Sequence, residues 1–173
     1  MSEQVCAVVV THNRRELLRE CLQALTTQTR SVDTILVVNN VSTDGTQEML
    51  NQDFPEVRVI NSAKNIGGAG GFHEGIKWGY EKSFDWLWVM DDDTIAAPNA
   101  LEELFIARSK FDVERQPRLL ASKITWTDES LHPMNLPKAK SSSVSSLIYS
   151  AEHSTLSLRS TSFVSLLIHR SLV

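Results

Sequence analysis

The sequence predicts an α/β fold, a mostly parallel sheet flanked by helices. Apolar runs of strand length without polar alternation recur at residues 5–10 (VCAVVV), 35–38 (ILVV) and 86–90 (WLWVM). Such runs suit strands buried on both faces of a parallel sheet. Segments with helical spacing lie between them, and a strand–helix repeat implies right-handed crossovers. The run at 86–90 ends abruptly in Asp91-Asp92-Asp93. Unpaired charges are too costly inside a sheet, so these acids must emerge at its carboxyl edge, where open α/β sheets bind ligands.

Taken in order, residues 5–10 form the first strand, and residues 11–14 (THNR) a tight loop. Asn13 with Glu16 three residues on resembles a capping box. Leu17, Leu18, Cys21, Leu22 and Leu25 then mark one face of a helix running to about Thr27. Residues 33–38 form the second strand, ending in Asn39-Asn40. The turn-rich loop 41–46 leads to a short helix carrying Met49 and Leu50. Pro55 precedes a third strand at 57–60. Four of the seven glycines crowd into residues 67–71. Phe72, Ile76 and Tyr80 follow at i, i+4, i+8, so a helix begins at or just after the glycines. After the acidic strand, Asn99 with Glu102 starts another helix whose inner face is Leu101, Leu104, Phe105 and Phe111. Residues 119–126 read as a strand, 141–160 as a Ser-rich mobile loop, and 163–168 as a last strand ended by His169-Arg170. The abrupt stop at Val173 reads as the end of a fragment.

The length of 173 residues suits one domain, with its core in residues 5–126. A net charge of −4 and a pI near 5.7 give no reason to expect nucleic acid as a partner. No apolar run approaches a membrane span of roughly 20 residues. The N-terminus lacks a signal-peptide pattern. Cys6 and Cys21 fall on expected core faces and read as buried free thiols in a reducing compartment.

Four loops should meet at the carboxyl edge: residues 11–14, 39–46, 67–71 and 91–93. Three adjacent acids want a cation, and oxygen ligands favour Mg²⁺ or Mn²⁺ shared with a substrate's phosphates. The competing reading is a solvated strand end whose acids cap the next helix. Glycines let backbone N–H groups approach a ligand, and the following helix offers its positive end to phosphate; they equally suit a flexible turn with close helix packing. The stretch lacks the Lys-Ser/Thr of a P-loop and the dinucleotide spacing. Asn39 and Asn40 suit a base or ribose edge, or simply satisfy the turn backbone. His12 and Arg14 suit a diphosphate or plain surface. Together the parts describe a pocket for a nucleotide diphosphate with a divalent metal, which would stabilise a diphosphate leaving group.

Four stretches resemble family 2 glycosyltransferases of the GT-A (Rossmann-like) fold: VVVTHNRRELLRECLQAL (8–25), ILVVNNVSTDGT (35–46), NIGGAGGFHEG (65–75) and WLWVMDDDT (86–94). The GGAGGF form and HPMN at 132–135 look most like bacterial galactofuranosyltransferases; a rhamnosyltransferase using dTDP-rhamnose is the nearest alternative. The resemblance implies inverting transfer of a sugar, usually from a UDP-linked donor, to a glycan or lipid-linked glycan acceptor. It implies Mn²⁺ or Mg²⁺ at Asp91 and Asp93. Donor contacts fall to Thr11, Asn13, Arg14, Asn39, Asn40, Gly67, Gly68, Gly70, Asp91 and Asp92. A lipid-linked acceptor implies a cytoplasmic enzyme, compatible with peripheral association at the inner face of the membrane.

Two departures stand out. The family usually carries Asp where this chain has Asn39, which puts affinity or base choice in doubt. Inverting transfer also needs a general base. The family's acidic motif for it follows a strand like residues 161–170, so the base is expected beyond Val173. A different class of reading is therefore a non-catalytic nucleotide-sugar-binding fragment. A nucleotidyltransferase would want a glycine in the loop 11–14, which has none.

Overall fold

The structure, a computed structural model, describes residues 3–130, 138–139, 158–160 and 164–173. Strand β1 (Val5–Thr11) leads through α1 (Arg15–Thr26) to β2 (Thr34–Asn39). Then come α2 (Thr46–Asp53), β3 (Arg58–Asn61), α3 (Gly67–Glu81), β4 (Trp86–Asp91) and α4 (Ala100–Ser109). After β5 (Leu119–Ala121), the short strands β6 (Lys138–Ala139) and β7 (Leu158–Ser160) pair in a separate ribbon, and β8 (Leu166–His169) returns to the main sheet.

The main sheet runs β3-β2-β1-β4-β8-β5. Neighbours from β3 to β4 are parallel, whereas β8 lies antiparallel between β4 and β5. The chain steps outward from β1 to β3, then crosses back to place β4 on the other side of β1. The order therefore reverses between β1 and β4, and their carboxyl ends flank the crevice where such sheets bind ligands. Register carries one polar row along that edge: Asn61 pairs with Asn39, Asn39 with Thr11, and Val10 with Asp91.

Alternation along the buried strands divides two cores. Val5, Ala7, Val9, Trp86, Trp88 and Met90 face α1, α2 and α4, where Leu18, Leu22, Leu50 and Leu101 pack. Cys6, Val8, Val10, Leu36, Val38 and Leu87 face α3. Both cysteines are free and buried, and burial pushes each thiol up to about 12, with the neighbouring acids adding to the effect at Cys21.

Several expectations need correction. Asn13 does not cap α1. The N-cap position is Arg14, whose side chain makes no capping bond. Asn13 instead adopts a left-handed φ of 54°. The amide of Arg15 at the start of α1 donates to Asp44 Oδ2 at 2.9 Å, from the next loop along. Asn99 occupies the N-cap position of α4 without a capping bond; buried Gln28 accepts from the Leu101 amide at 3.1 Å instead.

On helix α3, Phe72 and Ile76 pack toward the sheet as their spacing suggests, but Tyr80 does not. Tyr80 is exposed, and Gly71, Gly75 and Gly79 lie against the sheet. A Cβ on any of them would fall inside the van der Waals envelope of Val10, Val8 or Leu87. Phe111 also lies exposed beyond the end of α4. The β5 ladder is shorter than 119–126 because only Leu119–Ala121 finds partners on β8. Of the segment 141–160 read as a mobile loop, only Leu158–Ser160 lies within the described residues, as do none of 132–135 or Phe163.

Candidate functional site

The loops after β1, β2 and β4 and the amino end of α3 meet at the carboxyl edge, as the four-loop reading expects. Strand β4 delivers Asp91, Asp92 and Asp93 beside β1, and the three acids separate in role. Asp92 turns inward and is only 4% exposed. Its Oδ2 accepts the Thr11 hydroxyl at 2.7 Å, and its Oδ1 lies 3.3 Å from Arg14. A buried carboxylate needs such partners, so Asp92 pins the end of β4 to the end of β1 across the crevice. Asp93 stays exposed and takes the same guanidinium at 2.9 Å. Asp91 is half-buried at the strand end.

Crowding shifts the protonation of this cluster. Burial, then the charges of Asp93 and Asp92, hold the Asp91 carboxyl above its ordinary value against the pull of Arg14. Burial raises Asp92 as well, opposed by the Thr11 hydroxyl and by Arg14. Arg14 is correspondingly raised, chiefly by the charge of Asp92. The edge thus concentrates negative charge with one guanidinium spanning two of its acids.

The adjoining loops are laced together. The Asn13 amide donates to Ser42 Oγ at 3.0 Å, and Asn13 Oδ1 accepts the Thr43 amide at 2.7 Å. His12 Nδ1 lies 2.7 Å from the Asn40 carbonyl, so that nitrogen carries a proton. Asn39 Nδ2 donates to Asn61 Oδ1 at 3.0 Å, and Asn39 Oδ1 accepts the Ser42 amide at 3.0 Å. The uncharged amide at position 39 is therefore matched to an acceptor on β3. At the amino end of α3, Asn65 Oδ1 takes the Gly67 amide at 2.8 Å, and a Cβ on Gly67 or Gly68 would meet nothing within 4 Å.

Accessibility sorts the residues singled out from the sequence into two groups. Asn13, Arg14, Gly67, Gly68 and Asp93 are exposed, and Gly70 and Asp91 are half-buried. Thr11, Asn39, Asn40 and Asp92 are buried among their own hydrogen bonds. Sequence reasoning missed Ser42, Asn61 and Asn65, which hold these loops. Their signal was only that polar residues follow strand ends.

Among the described residues, no three His, Cys, Asp or Glu side chains converge into a metal cage. Mg²⁺ and similar ions commonly take only one or two carboxylates, with substrate phosphates and water completing the shell. An accessible Asp93 beside a half-buried, charge-crowded Asp91 fits that limited role. Among the described residues, no helix is long and apolar enough to cross a membrane.

Known proteins share this framework. The chain is 41% identical over 92 residues to galactofuranosyltransferase GlfT1 of Mycolicibacterium smegmatis, covering 53% of this chain and 30% of that protein. It is 40% identical over 98 residues to GlfT1 of Mycobacterium tuberculosis, covering 54% and 31%. The chain thus spans about a third of the length of these relatives. An undecaprenyl-phosphate mannosyltransferase of Micrococcus luteus is 31% identical over 107 residues, covering 60% and 44%. Among solved structures, S. aureus TarS 1-349 superposes with a TM-score of 0.70 at 16% identity, over 98% of this chain and 48% of that one. The mannosyltransferase PcManGT of Pyrobaculum calidifontis gives 0.55 at 19% identity, over 73% and 36%. These likenesses establish the fold. The sequence pattern of the family described as Glycosyl transferase family 2 matches residues 6–110, and this chain belongs to that family.

Proposed function

We propose that this chain supplies the donor-binding part of an inverting, metal-dependent glycosyltransferase. The donor is a UDP-linked sugar, with galactofuranose favoured by the likeness to GlfT1. The acceptor is a glycan or lipid-linked glycan, which would bring the enzyme to the cytoplasmic face of the membrane. The observation that carries the reading is the Asp91–Asp93 turn, set against Thr11 and Arg14 where the strand order reverses.

Each part has a chemical task. Asn39, between Thr11 and Asn61 in the edge row, shapes the nucleobase side by holding the Ser42 amide and Asn61. Gly67 and Gly68 leave room for the diphosphate at the amino end of α3, where the helix's positive end favours negative charge, while Gly70 lies close against Ile66. Arg14 orients the diphosphate once it lets go of Asp93. Asp91 and Asp93 would hold Mn²⁺ or Mg²⁺. When bound, such an ion neutralises charge developing on a diphosphate leaving group. Thr11, Asn40 and Asp92 hold the walls in place.

The substitution Asp93→Ala tests this assignment. Metal-dependent UDP affinity should fall about tenfold or more, with the circular dichroism spectrum unchanged. Unaltered metal-dependent affinity would sink the metal assignment.

A further inference from the structure

We propose that Asn40 is a positioning residue of the donor site, acting on the donor through the placement of Gly67. This rests on the donor reading above. Asn40 is 2% exposed, yet its hydrogen bonds reach other segments of the edge. Its amide donates to the Thr11 carbonyl at 2.9 Å, and its carbonyl receives His12 Nδ1 at 2.7 Å. Its side-chain Oδ1 accepts the Ile66 amide at 3.1 Å, and Nδ2 donates to the Gly67 carbonyl at 2.9 Å. One residue thereby fastens the β1 loop to the β2 loop and both to the entrance of α3.

The side chain must be an amide of this length. It needs an acceptor for Ile66 and a donor for Gly67 in adjacent positions. Aspartate supplies the first and sets oxygen against oxygen at the second. Leucine supplies neither, and glutamine is one methylene too long for the same seat.

The backbone on either side indicates how tightly this point is held. Val41, next in the chain, is β-branched and sits at φ 60°. The left-handed region is unfavourable for an L-residue, and most of all for a β-branched one. Val41 is 40% exposed, so burial does not offset that cost. Such a conformation persists only where its surroundings over-determine it. The four ties of Asn40 do so. On the other side, Gly67 is left-handed at φ 69°, with its carbonyl on Asn40 and its amide on Asn65. Asn40 thus fixes the turn from which α3 starts, where the donor's diphosphate is placed.

The test compares UDP with uridine, which lacks the diphosphate. Both are titrated, with Mn²⁺ present, into the full chain and its Asn40→Ala, Asn40→Asp and Gln28→Ala variants. Gln28 is also a buried amide tie, bonded to the Ala24 and Ala97 carbonyls at 3.1 and 2.8 Å, and it is outside the donor site. Asn40→Asp keeps the Ile66 tie and serves where Asn40→Ala folds poorly. We expect both Asn40 variants to lose about tenfold or more in UDP affinity. Uridine affinity should change far less, and Gln28→Ala should bind both ligands like the parent despite a lower Tm. Equal losses for UDP and uridine would reduce Asn40 to a general structural role and overturn the proposal. So would unchanged UDP affinity in both Asn40 variants, while leaving the donor reading intact. A parent protein that binds no UDP would overturn the donor reading itself, and this proposal with it.

Discussion

Asp92 and Asp93 are neighbours with opposite fates, and the difference is one of partners. Asp92 finds the Thr11 hydroxyl and is buried; Asp93 finds only the exposed end of Arg14. The sequence marked all three acids as a unit because charge is visible in a string and direction is not. The same holds for Asn39 and Asn40, where the alternative of satisfying the turn backbone accounts for the bonds of Asn40. Asp44 shows how a cap is lost to local reading. The capping-box spacing at Asn13 and Glu16 is intact in the sequence, yet Asp44 takes the Arg15 amide from 29 residues away and the Thr46 amide and hydroxyl nearby. Burial opposes ionisation of Asp44, but these bonds together hold its carboxyl below the usual range. A lowered folded-state value means that the contribution is present above the ordinary carboxylate range. It fades as pH falls through the lowered value. Asp44→Ala should therefore cost about 1 kcal/mol at neutral pH. The gap to the parent should narrow in acid, as measured by urea unfolding at several pH values. A gap that widened in acid would contradict the assignment.

At the scale of elements, strands β1, β2 and β4 were legible because burial on both faces demands continuous apolar runs. Helix α3 was legible as a helix, but the glycine face it lays on the sheet was not. Phe72 and Ile76 pack toward the sheet and Tyr80 does not, while Gly71, Gly75 and Gly79 make the closest approach, to Val10, Val8 and Leu87. A pattern search for large apolar residues misses an interface made by having no side chain. Gly75→Ala tests the close approach. The new methyl would collide with Val8 Cγ1 and lie 3.3 Å from Val38 Cγ2, both on buried strands. Overpacking of this kind costs about 1–3 kcal/mol, which should exceed the gain of about 1 kcal/mol in helix propensity. Chemical denaturation should show a lower midpoint, and a raised one would mean that α3 stands further from the sheet. Strand β8 was legible as a strand, but its antiparallel seat between β4 and β5 was not. Its pairing depends on partners 45 or more residues away.

For the molecule as a whole, the order β3-β2-β1-β4 matters more than any single element. It puts the end of β1 and the end of β4 on either side of one crevice, so Thr11, Arg14 and Asp91 to Asp93 meet although some 80 residues separate them. Parallel pairing aligns the strand ends, and the polar residues that terminate each strand collect along one edge. That is why the meeting of these loops could be read from the string, whereas their division into an accessible face and a buried scaffold could not. The family-wide match over residues 6–110 falls on this same half-sheet and its loops. The central claim is that the accessible face takes a nucleotide diphosphate together with a divalent cation. Calorimetric titration of UDP into the chain, with and without Mn²⁺, tests it most directly. The account predicts binding that requires Mn²⁺; equal affinity in both conditions, or no binding in either, would contradict it.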